Sequence, residues 1–411
     1  MNLALLIDHL VHSMQNKRTL DDWLSWQETL MEETIVLGLE RVKIVYDRLF
    51  PNGVPYGVIT VAGTNGKGST VSFLDSIYRQ SNFKVGRSTS PHLLKYNERF
   101  AINGEEVCDE IIIKAFERIE TQRKEVTLTY FEFSTLAALI IFAEAKIDLA
   151  LLEVGLGGRL DSVNVVDSDV SVITNIAIDH TDYLGDTREA IGREKAGIMR
   201  PSRPCICGDQ EPPKSLLSYA KEIETPITFI SKGYLGEIGL EGAHQRINAA
   251  VAIKTVEKLL GKFPVSESMI SNGVKKATIK ARFERKIVGD KLFILDVAHN
   301  PAAVKTLVDT LAESPMKTVA IFSALIDKDI IDMVNLASES IQHWYLVPLS
   351  SERAIESNEL KNKFSNPNLT SICDDMDNAI KQSLELDDID RVVIFGSFYT
   401  IADATLIIDQ I

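Results

Sequence analysis

The sequence predicts an α/β fold with two units: a large, mostly parallel sheet with helices on both faces, and a smaller α/β unit at the C-terminal end. Continuous apolar runs of strand length alternate with segments of helical spacing, which is typical of a parallel sheet covered on both sides. A chain of 411 residues is also too long for one ordinary core. We therefore predict one domain over residues 1–283 and a second over residues 284–411.

The elements of the larger unit follow from their apolar spacing. Residues 1–50 have helical spacing, and Pro51-Asn52-Gly53 ends that pattern. The stretch 93–104 is polar and aromatic, ends in Asn-Gly and predicts a long functional loop. The predicted strands are 56–61, 84–88, 149–154, 170–176, 206–208 and 227–231, and the predicted helices are 71–79, 105–124, 133–145, 187–198 and 243–260.

The smaller unit begins near Phe283 and alternates in the same way. Its predicted strands are 292–296, 318–322, 344–347 and 391–395, and its predicted helices are 302–312 and 330–337. Strands alternating with helices on this scale indicate a Rossmann-like α/β domain.

Composition restricts the class of protein. Hydrophobic residues make up 45% and charged residues 25%, which is typical of a soluble globular chain. The net charge of −14 argues against a nucleic-acid or membrane surface, although a small anionic substrate stays compatible with it. The four cysteines (Cys108, Cys205, Cys207 and Cys373) lack metal-site spacing and are typical of cytoplasmic thiols.

The pattern predicts neither a targeting segment nor a membrane-spanning segment. Asp8 and His9 interrupt the apolar N-terminus, and no cleavage site follows. The most apolar run, 133–152, contains Glu144, Lys146 and Asp148, so it predicts a buried helix and a strand instead of a membrane span. We expect a cytoplasmic protein, and a monomer.

A glycine-rich turn lies between the first predicted strand and its helix, with the sequence Gly63-Thr-Asn-Gly-Lys-Gly-Ser69. Such a turn lets backbone N–H groups converge on an anion at a helix N-terminus, so the larger unit is predicted to be of the P-loop type. Lys67 can reach terminal phosphates, and Ser69 offers a hydroxyl near a metal ion bound with them. Gly68 separates the two, unlike the common G-x-x-x-x-G-K-[ST] spacing. The alternative is a strand–helix turn without a ligand.

Polar side chains also end other predicted strands, where ligands bind to open parallel sheets. Glu153 ends a buried strand, and the alternative to a Mg²⁺ ligand is a salt-bridged carboxylate. His180 follows the next strand beside Asp179, where a structural histidine is the alternative to a ligand or catalytic group. Ser90 ends the strand after the loop's helix, so its hydroxyl can also face a metal.

Four further residues are also considered as candidates for the site. Asp296 and His299 follow a buried strand and precede a helix, which predicts a second corner for an anion or a ribose. Arg282 lies at the domain junction, where it either reaches nucleotide phosphates on closure or is a linker residue. Lys195, read from its helix alone, is a surface lysine.

Taken together, the motifs resemble the dihydrofolate synthase/folylpolyglutamate synthase family, within the Mur-ligase-like ATP-dependent amide ligases. The resemblance covers essentially the whole chain. It rests on collinear motifs: GTNGKGS at 63–69, TSPHL at 89–93, NERFAING at 97–104, LTYFEF at 128–133, EVGLGGRLDSVN at 153–164, DHTDYLGDT at 179–187, GREKAGI at 192–198, HQRINA at 244–249, DVAHNP at 296–301 and FGSFYTIAD at 395–403.

The resemblance implies roles for individual residues. Gly66, Lys67, Gly68 and Ser69 are similar to the ATP phosphate loop, and Asn248, Arg282, Asp296 and His299 to further nucleotide contacts. Ser90 and Glu153 resemble ligands of one Mg²⁺ ion, and His180 a ligand of a second. Lys195 resembles the lysine that is carbamylated in this family. Lys67, Lys195 and His180 are the implied catalytic group.

The implied pterin site combines three segments: Val36, Leu37 and Gly38; Leu128, Thr129, Tyr130 and Phe131; and Leu160, Asp161 and Ser162. Val36 stands where the bifunctional bacterial enzymes usually carry Asp, which removes a polar contact to the pterin. Lys280-Ala281 replaces the usual Pro-Gly before Arg282, so the junction is expected to differ.

The activity that the resemblance implies is ATP-dependent ligation of L-glutamate to dihydropteroate and to reduced folates through an acyl phosphate. One alternative is a folylpolyglutamate synthase alone, and another is a different P-loop NTPase or kinase. A GTPase would show Asn-Lys-x-Asp, which neither Asn16-Lys17 nor Asn362-Lys363 continues. A cell-wall ligase of the same superfamily would need a nucleotide-sugar domain before the loop.

Overall fold

The structure is a computed structural model that describes residues 18–31 and 35–411. Within those residues, a larger sheet of eight strands has the spatial order β4-β3-β2-β5-β1-β6-β7-β8. Its strands are β1 Gly57–Ala62, β2 Val85–Ser88, β3 Phe100–Ile102, β4 Glu105–Glu106, β5 Leu149–Glu153, β6 Val170–Ile173, β7 Cys205–Cys207 and β8 Ile227–Phe229. The helical pattern predicted over residues 1–50 includes residues 1–17 and 32–34, which lie outside the described residues.

Helices cover both faces of this sheet. As a result, alternate residues of the central strand β1 pack into two different hydrophobic cores. Val58 and Ala62 pack in one hydrophobic cluster, whereas Ile59 and Val61 pack in the other. The helices of this unit are α1 Leu20–Glu28, α2 Glu40–Leu49, α3 Lys67–Gln80, α4 Asp109–Arg123, α5 Tyr130–Ala145, α6 Thr181–Leu184, α7 Arg188–Ala196, α8 Lys214–Glu222, α9 Ala243–Leu259 and α10 Glu267–Lys276.

The stretch 93–104 differs from its prediction. A 3₁₀ turn covers Tyr96–Arg99, and β3 then pairs antiparallel with β2, with Gly86 opposite Ile102. The short β4 pairs with β3, so Glu105 and Glu106 belong to the sheet edge and not to the predicted helix. Strands of three and two residues are too short to show an alternating pattern, so the polar and aromatic composition of the stretch hid them.

A second sheet of six strands, again within the described residues, has the order β13-β12-β11-β14-β10-β9. Only β9 pairs antiparallel there, with β10. Its elements are β9 Glu284–Val288, β10 Lys291–Leu295, α11 Pro301–Ala312, β11 Thr318–Phe322, α12 Ile330–Ala337, β12 His343–Leu346, α13 Ser357–Lys361, β13 Thr370–Ile372, α14 Met376–Leu384, β14 Arg391–Phe395 and α15 Phe398–Ile408.

The predicted fold class, with its mostly parallel sheet and second Rossmann-like α/β unit, is confirmed. The division at residues 283 and 284 stays a proposal, which agrees with the start of β9 at Glu284. Among residues 18–31 and 35–411, no helix has the length and apolar character that a bilayer-crossing segment needs.

Candidate active site

One cavity of about 690 Å³ lies where the carboxyl ends of both sheets meet. The residues that directly follow β1, β5 and β6 line it from the larger unit, and those that directly follow β10 and β14 line it from the smaller one: Gly63, Val154, Thr174, Asp296 and Gly396. Ligands bind at this edge of open α/β sheets, so the topology places the cavity where the sequence predicted a site.

Hydrogen bonds to Asn175, in the segment after β6, hold the predicted phosphate loop in place. The backbone N–H of Thr64 donates to the Asn175 carbonyl at 3.0 Å, and that of Asn65 donates to Asn175 Oδ1 at 2.8 Å. Gly66 has φ +83°, a left-handed conformation that glycine adopts without strain, and the helix α3 starts at the next residue. This turn directs the first N–H groups of α3 toward the cavity.

Lys67 and Ser69 both line the cavity. The Lys67 ammonium donates to the carbonyls of Gly63 and Thr64, at 3.0 and 3.1 Å. Burial lowers the pKa of Lys67, and the carboxylates of Glu153 and Asp179 oppose that shift. The ammonium therefore sits at the loop in a setting that favours a further anion.

Ser69 is joined to the predicted nucleotide contact Asn248 by a residue that the sequence analysis missed. Gln245 donates through Nε2 to Ser69 Oγ at 3.1 Å, and its Oε1 accepts from Asn248 Nδ2 at 3.0 Å. Gln245 is buried and lies on α9 within the HQRINA motif, which was the available signal. The three side chains fix one wall of the phosphate loop.

The three predicted metal ligands, Ser90, Glu153 and His180, all line this cavity. The backbone N–H of Ser90 donates to Glu153 Oε2 at 3.3 Å. Burial raises the pKa of Glu153, while the charge of Lys67 opposes that shift. Gly68 lies beside this carboxylate, since a Cβ at Gly68 would stand 3.9 Å from both oxygens. The extra glycine of the loop therefore keeps the space next to Glu153 free of side chain.

His180 is suited to ligation as a neutral imidazole. Burial lowers its pKa to about 4, with Asp179 opposing. Within the described ranges, no group of three or more His, Cys, Asp or Glu side chains is arranged to hold a metal ion by itself. One carboxylate and one imidazole agree with Mg²⁺ chemistry only if water and substrate phosphates complete the shell, which is how Mg²⁺ is usually held.

Lys195 is buried, with 4% of its surface exposed, and lines the cavity. The interpretation of Lys195 as a surface lysine is therefore wrong. Helical spacing alone did not show that this face of α7 packs against the cavity. Burial is the largest cause that lowers the pKa of Lys195 to about 7, and the positive charge of Lys67 is the second.

The smaller unit contributes Asp296 and His299, and Arg282 precedes it at the junction. Asp296 accepts the backbone N–H groups of Phe283 and Ala298 at 2.7 and 2.8 Å, so its carboxylate fixes the junction. The Arg282 guanidinium lies over the Phe398 ring, 5.4 Å from its centroid. Phe398 was not predicted as a site residue, although it belongs to the FGSFYTIAD motif.

The imidazole of His299 is oriented by the backbone. Its Nδ1 donates to the Val297 carbonyl at 2.8 Å, so Nε2 faces Asp179 of the larger unit at 3.7 Å. Burial lowers the pKa of His299 to about 4, and Asp179 opposes that shift. Asp179 also accepts from the Lys328 ammonium at 2.8 Å and from Asn300 Nδ2 at 2.9 Å. These contacts across the cleft were not predicted.

The predicted pterin-binding segments do not line this cavity, but they lie together beside it. The N–H of Gly38 donates to the Leu160 carbonyl at 3.2 Å, and the Ser162 and Thr135 hydroxyls are 2.5 Å apart. A side chain on Gly155, which lines the cavity, would collide with the ring of Phe131. Five predicted positions are buried: Gly38, Leu128, Thr129, Asp161 and Ser162.

Two of the predicted pterin positions also have structural roles. Thr129 caps α5 in a capping box with Glu132, and Arg41 joins the Glu132 carboxylate at 3.2 Å to the Val36 carbonyl at 2.9 Å. Asp161 accepts the N–H groups of Leu156 and Val163, and burial raises its pKa to about 6. Tyr130 packs edge-on against Tyr96 with a centroid distance of 5.7 Å.

Two family models match the chain and define its class. The Mur ligase middle domain matches residues 61–233, and the Mur ligase glutamate ligase domain matches residues 281–398. The Escherichia coli K12 dihydrofolate synthase/folylpolyglutamate synthase is 38% identical over 95% of this chain and 96% of that protein. The chain belongs to the dihydrofolate synthase/folylpolyglutamate synthase family of ATP-dependent ligases, which confirms the resemblance and the prediction of an enzyme.

Solved structures of related proteins share the fold and contain bound ligands. One of E. coli FolC in complex with DHPP and ADP is 36% identical, covers 96% of this chain and 98% of its own, and has a TM-score of 0.88. A bifunctional folylpolyglutamate synthase/dihydrofolate synthase with Mn, AMPPNP and L-glutamate bound is 37% identical, covers 95% and 98%, and has a TM-score of 0.86.

Proposed function

We propose that the protein uses ATP to ligate L-glutamate to dihydropteroate, forming dihydrofolate, and to the γ-carboxylate of reduced folates. The observation that carries this proposal is the single cavity in which the phosphate loop, Glu153, His180 and Lys195 face Asp296 and His299 of the second unit. The bound ADP, DHPP, AMPPNP and L-glutamate of the related structures support it.

The reaction needs positioning more than covalent help from the protein. The substrate carboxylate attacks the γ-phosphate of ATP, the bond to ADP breaks, and an acyl phosphate results. The amine of glutamate then attacks the acyl carbon, and phosphate leaves with the bonding electron pair. Lys67 and Arg282 lie where they can neutralise phosphate charge, and Gly66 and Ser69 hold the loop against the nucleotide.

The donor set fits a divalent metal. Glu153 is buried with a backbone N–H on only one of its oxygens among the hydrogen bonds of the described chain, and a cation would offset its burial. Ser90 and Glu153 would hold one Mg²⁺ ion and His180 a second. The ions supply charge neutralisation at the phosphates and a template for their orientation. Mn in a related structure supports a divalent site.

Lys195 is the proposed carbamylation site. Its neutral Nζ attacks the carbon of CO₂, and a proton passes to solvent. The product is a carbamate anion, which replaces the ammonium cation that an unmodified, protonated lysine would carry. A pKa near 7 keeps a large share of this amine neutral at neutral pH, unlike an exposed lysine. The new carboxylate then helps to hold a metal or to orient the phosphates.

The pterin end of the substrate is proposed to lie on the segments beside the cavity, from Val36 to Gly38, Leu128 to Phe131 and Leu160 to Ser162. Their proximity to one another and to Gly155 supports a continuous path from this group to the phosphates. Folylpolyglutamate synthase activity alone is the second candidate, because Val36 replaces the polar residue expected toward the pterin. We also propose a cytoplasmic monomer without nucleic-acid or membrane partners.

Phosphate release tests the function. Purified protein with ATP and Mg²⁺ should release phosphate only when glutamate and a pterin substrate are both present. Dihydropteroate and a reduced folate, assayed in parallel, separate the bifunctional enzyme from a folylpolyglutamate synthase. Equal ATP hydrolysis with neither substrate would refute the ligase and favour a P-loop NTPase.

A further inference from the structure

Asn300 joins the two units through a single buried amide. It is the N-cap of α11 in the smaller unit, where Oδ1 accepts from the Ala303 N–H at 2.9 Å. The same amide reaches the larger unit: Oδ1 accepts from Asn65 Nδ2 at 3.2 Å, and Nδ2 donates to Asn65 Oδ1 at 3.1 Å. Nδ2 also donates to Asp179 Oδ2 at 2.9 Å.

Capping alone does not explain this side chain. Asn, Asp and Ser cap helices about equally well, because each offers an oxygen to the first N–H groups. Of these three side chains, only the amide carries two N–H donors beside its acceptor oxygen, and both donated bonds of Asn300 go to residues of the other unit. The residue is 2% exposed, so none of these bonds is exchanged freely with water.

The two partners are parts of the phosphate machinery. Asn65 belongs to the phosphate loop, and its own backbone is fixed because its carbonyl accepts from Thr174 Oγ1 at 2.6 Å. Asp179 directly precedes the predicted metal ligand His180. A shift of the smaller unit would therefore break bonds to the phosphate loop and to the segment that carries His180.

We propose that Asn300 is a positioning residue, which couples closure of the smaller unit to the placement of the phosphate loop. It acts through Asn65 and Asp179 and does not itself contact the reacting atoms. The inference rests on the proposed function for its kinetic consequence, but the coupling itself concerns nucleotide binding and can be measured without turnover.

The test uses variants that keep the cap. Asn300→Ser retains an oxygen for Ala303 and loses every bond across the cleft. Asn300→Asp retains the cap but turns a carboxylate toward Asp179 and toward Asn65 Oδ1. Asp375 caps α14 with an exposed carboxylate outside the cavity, accepting from the Asn378 N–H at 2.8 Å, so Asp375→Ser is the matched control.

The affinity for AMPPNP with Mg²⁺, measured by calorimetry on the full chain, is the main readout. We expect the affinity to fall about tenfold in Asn300→Ser, further in Asn300→Asp, and not at all in Asp375→Ser. The thermal midpoints of Asn300→Ser and Asp375→Ser should stay close to that of the unaltered chain, whereas the buried carboxylate of Asn300→Asp beside Asp179 should lower it. The double variant Asn300→Asp/Asp179→Asn restores a donor–acceptor pair, so it should bind more tightly than the product of its single effects predicts.

A purely structural cap predicts a different result. An Asn300→Asp affinity within about twofold of the unaltered chain would overturn the proposal, since that change removes both donated bonds. Small-angle scattering with AMPPNP adds a second readout, and Asn300→Asp should have the larger radius of gyration. If the unaltered chain shows no ligase turnover, the proposed function fails, whereas the affinity ratio still decides the coupling.

Discussion

The buried amine of Lys195 lines the same cavity as Lys67 and feels its positive charge. Burial is the main reason that the pKa of Lys195 falls to about 7, and the Lys67 charge adds to it. An ordinary lysine keeps its proton until far higher pH. The pair thus creates an amine that can react with CO₂ near neutrality.

Activity should therefore depend on pH and CO₂ together. Because the pKa of Lys195 is lowered, the neutral fraction of this amine rises as pH rises through about 7. We expect carbamylation, measured by ¹³C NMR with labelled bicarbonate, to grow over about one pH unit on either side of that value. A carbamate signal absent at about pH 8, or independent of pH, would contradict the assignment.

Loss of the Lys195 side chain should be partly reversible by chemistry. Lys195→Ala is expected to lose at least about tenfold in kcat because the carboxylate of the carbamate is missing. Small carboxylates such as acetate should restore part of the rate in an ADP-release assay. Lys221→Ala, at an exposed lysine, is the control. An unchanged rate in Lys195→Ala would remove the residue from the mechanism.

Lys67→Ala should abolish ADP formation. The ammonium lies at the phosphate loop, and a removed transition-state charge contact costs on the order of 3 kcal/mol, or more than a hundredfold in rate. A coupled ADP assay measures the loss, with Lys305→Ala on the exposed face of α11 as control. Full substrate-dependent turnover in Lys67→Ala would refute the phosphate-loop assignment.

Gly66→Ala should impair nucleotide binding more than folding. Gly66 has φ +83°, which costs about 1–2 kcal/mol with a side chain, and a Cβ would lie 2.7 Å from Asn248 Oδ1. We expect ADP affinity to fall by about tenfold or more, measured by calorimetry. Gly261→Ala, where nothing lies within 4 Å of the added Cβ, is the matched control. Equal ADP affinity in both variants would show that nucleotide binding does not depend on the backbone conformation of the phosphate loop at Gly66.

Glu153→Gln should raise the Mg²⁺ requirement. The amide keeps the shape of the side chain but removes the charge that a divalent cation needs. Titration of Glu153→Gln with Mg²⁺ in the presence of AMPPNP should show a metal affinity at least about tenfold weaker than that of the unaltered chain. Removal of the metal with a chelator should stop turnover of the unaltered chain. Glu144→Gln, at an exposed glutamate, should titrate like the unaltered chain. Equal titration curves for Glu153→Gln and the unaltered chain would dismiss Glu153 as a ligand.

The sequence predicted those parts of the site that follow from local rules. Glu153 ends a buried strand, and His180 lies on the segment that follows the next one. Because the carboxyl ends of parallel strands share one edge of the sheet, their convergence could be predicted from the sequence. The phosphate loop followed from its strand–turn–helix context. In each case, the known topology of parallel sheets allows the position of a residue in space to be predicted from its place at the end of a strand.

The parts that were missed depend on how distant segments pack. Asn65 contacts Asn300 across 235 residues of chain, and Asp179 contacts Lys328 across 149. No local periodicity specifies such a pair, because it depends on the placement of one unit against the other. The buried face of Lys195 is a similar case, since helical spacing does not say which side of α7 meets the cavity.

The ion pairs between the units differ in their access to water. Lys328 and Asp179 are buried, with 5% and 7% of their side chains exposed, whereas Arg285 and Glu241 are 47% and 44% exposed at the rim. Dissolved salt screens exposed charges strongly and buried ones weakly. A rise in ionic strength should therefore weaken the Arg285–Glu241 pair at the rim of the cleft more than the Lys328–Asp179 pair at its centre.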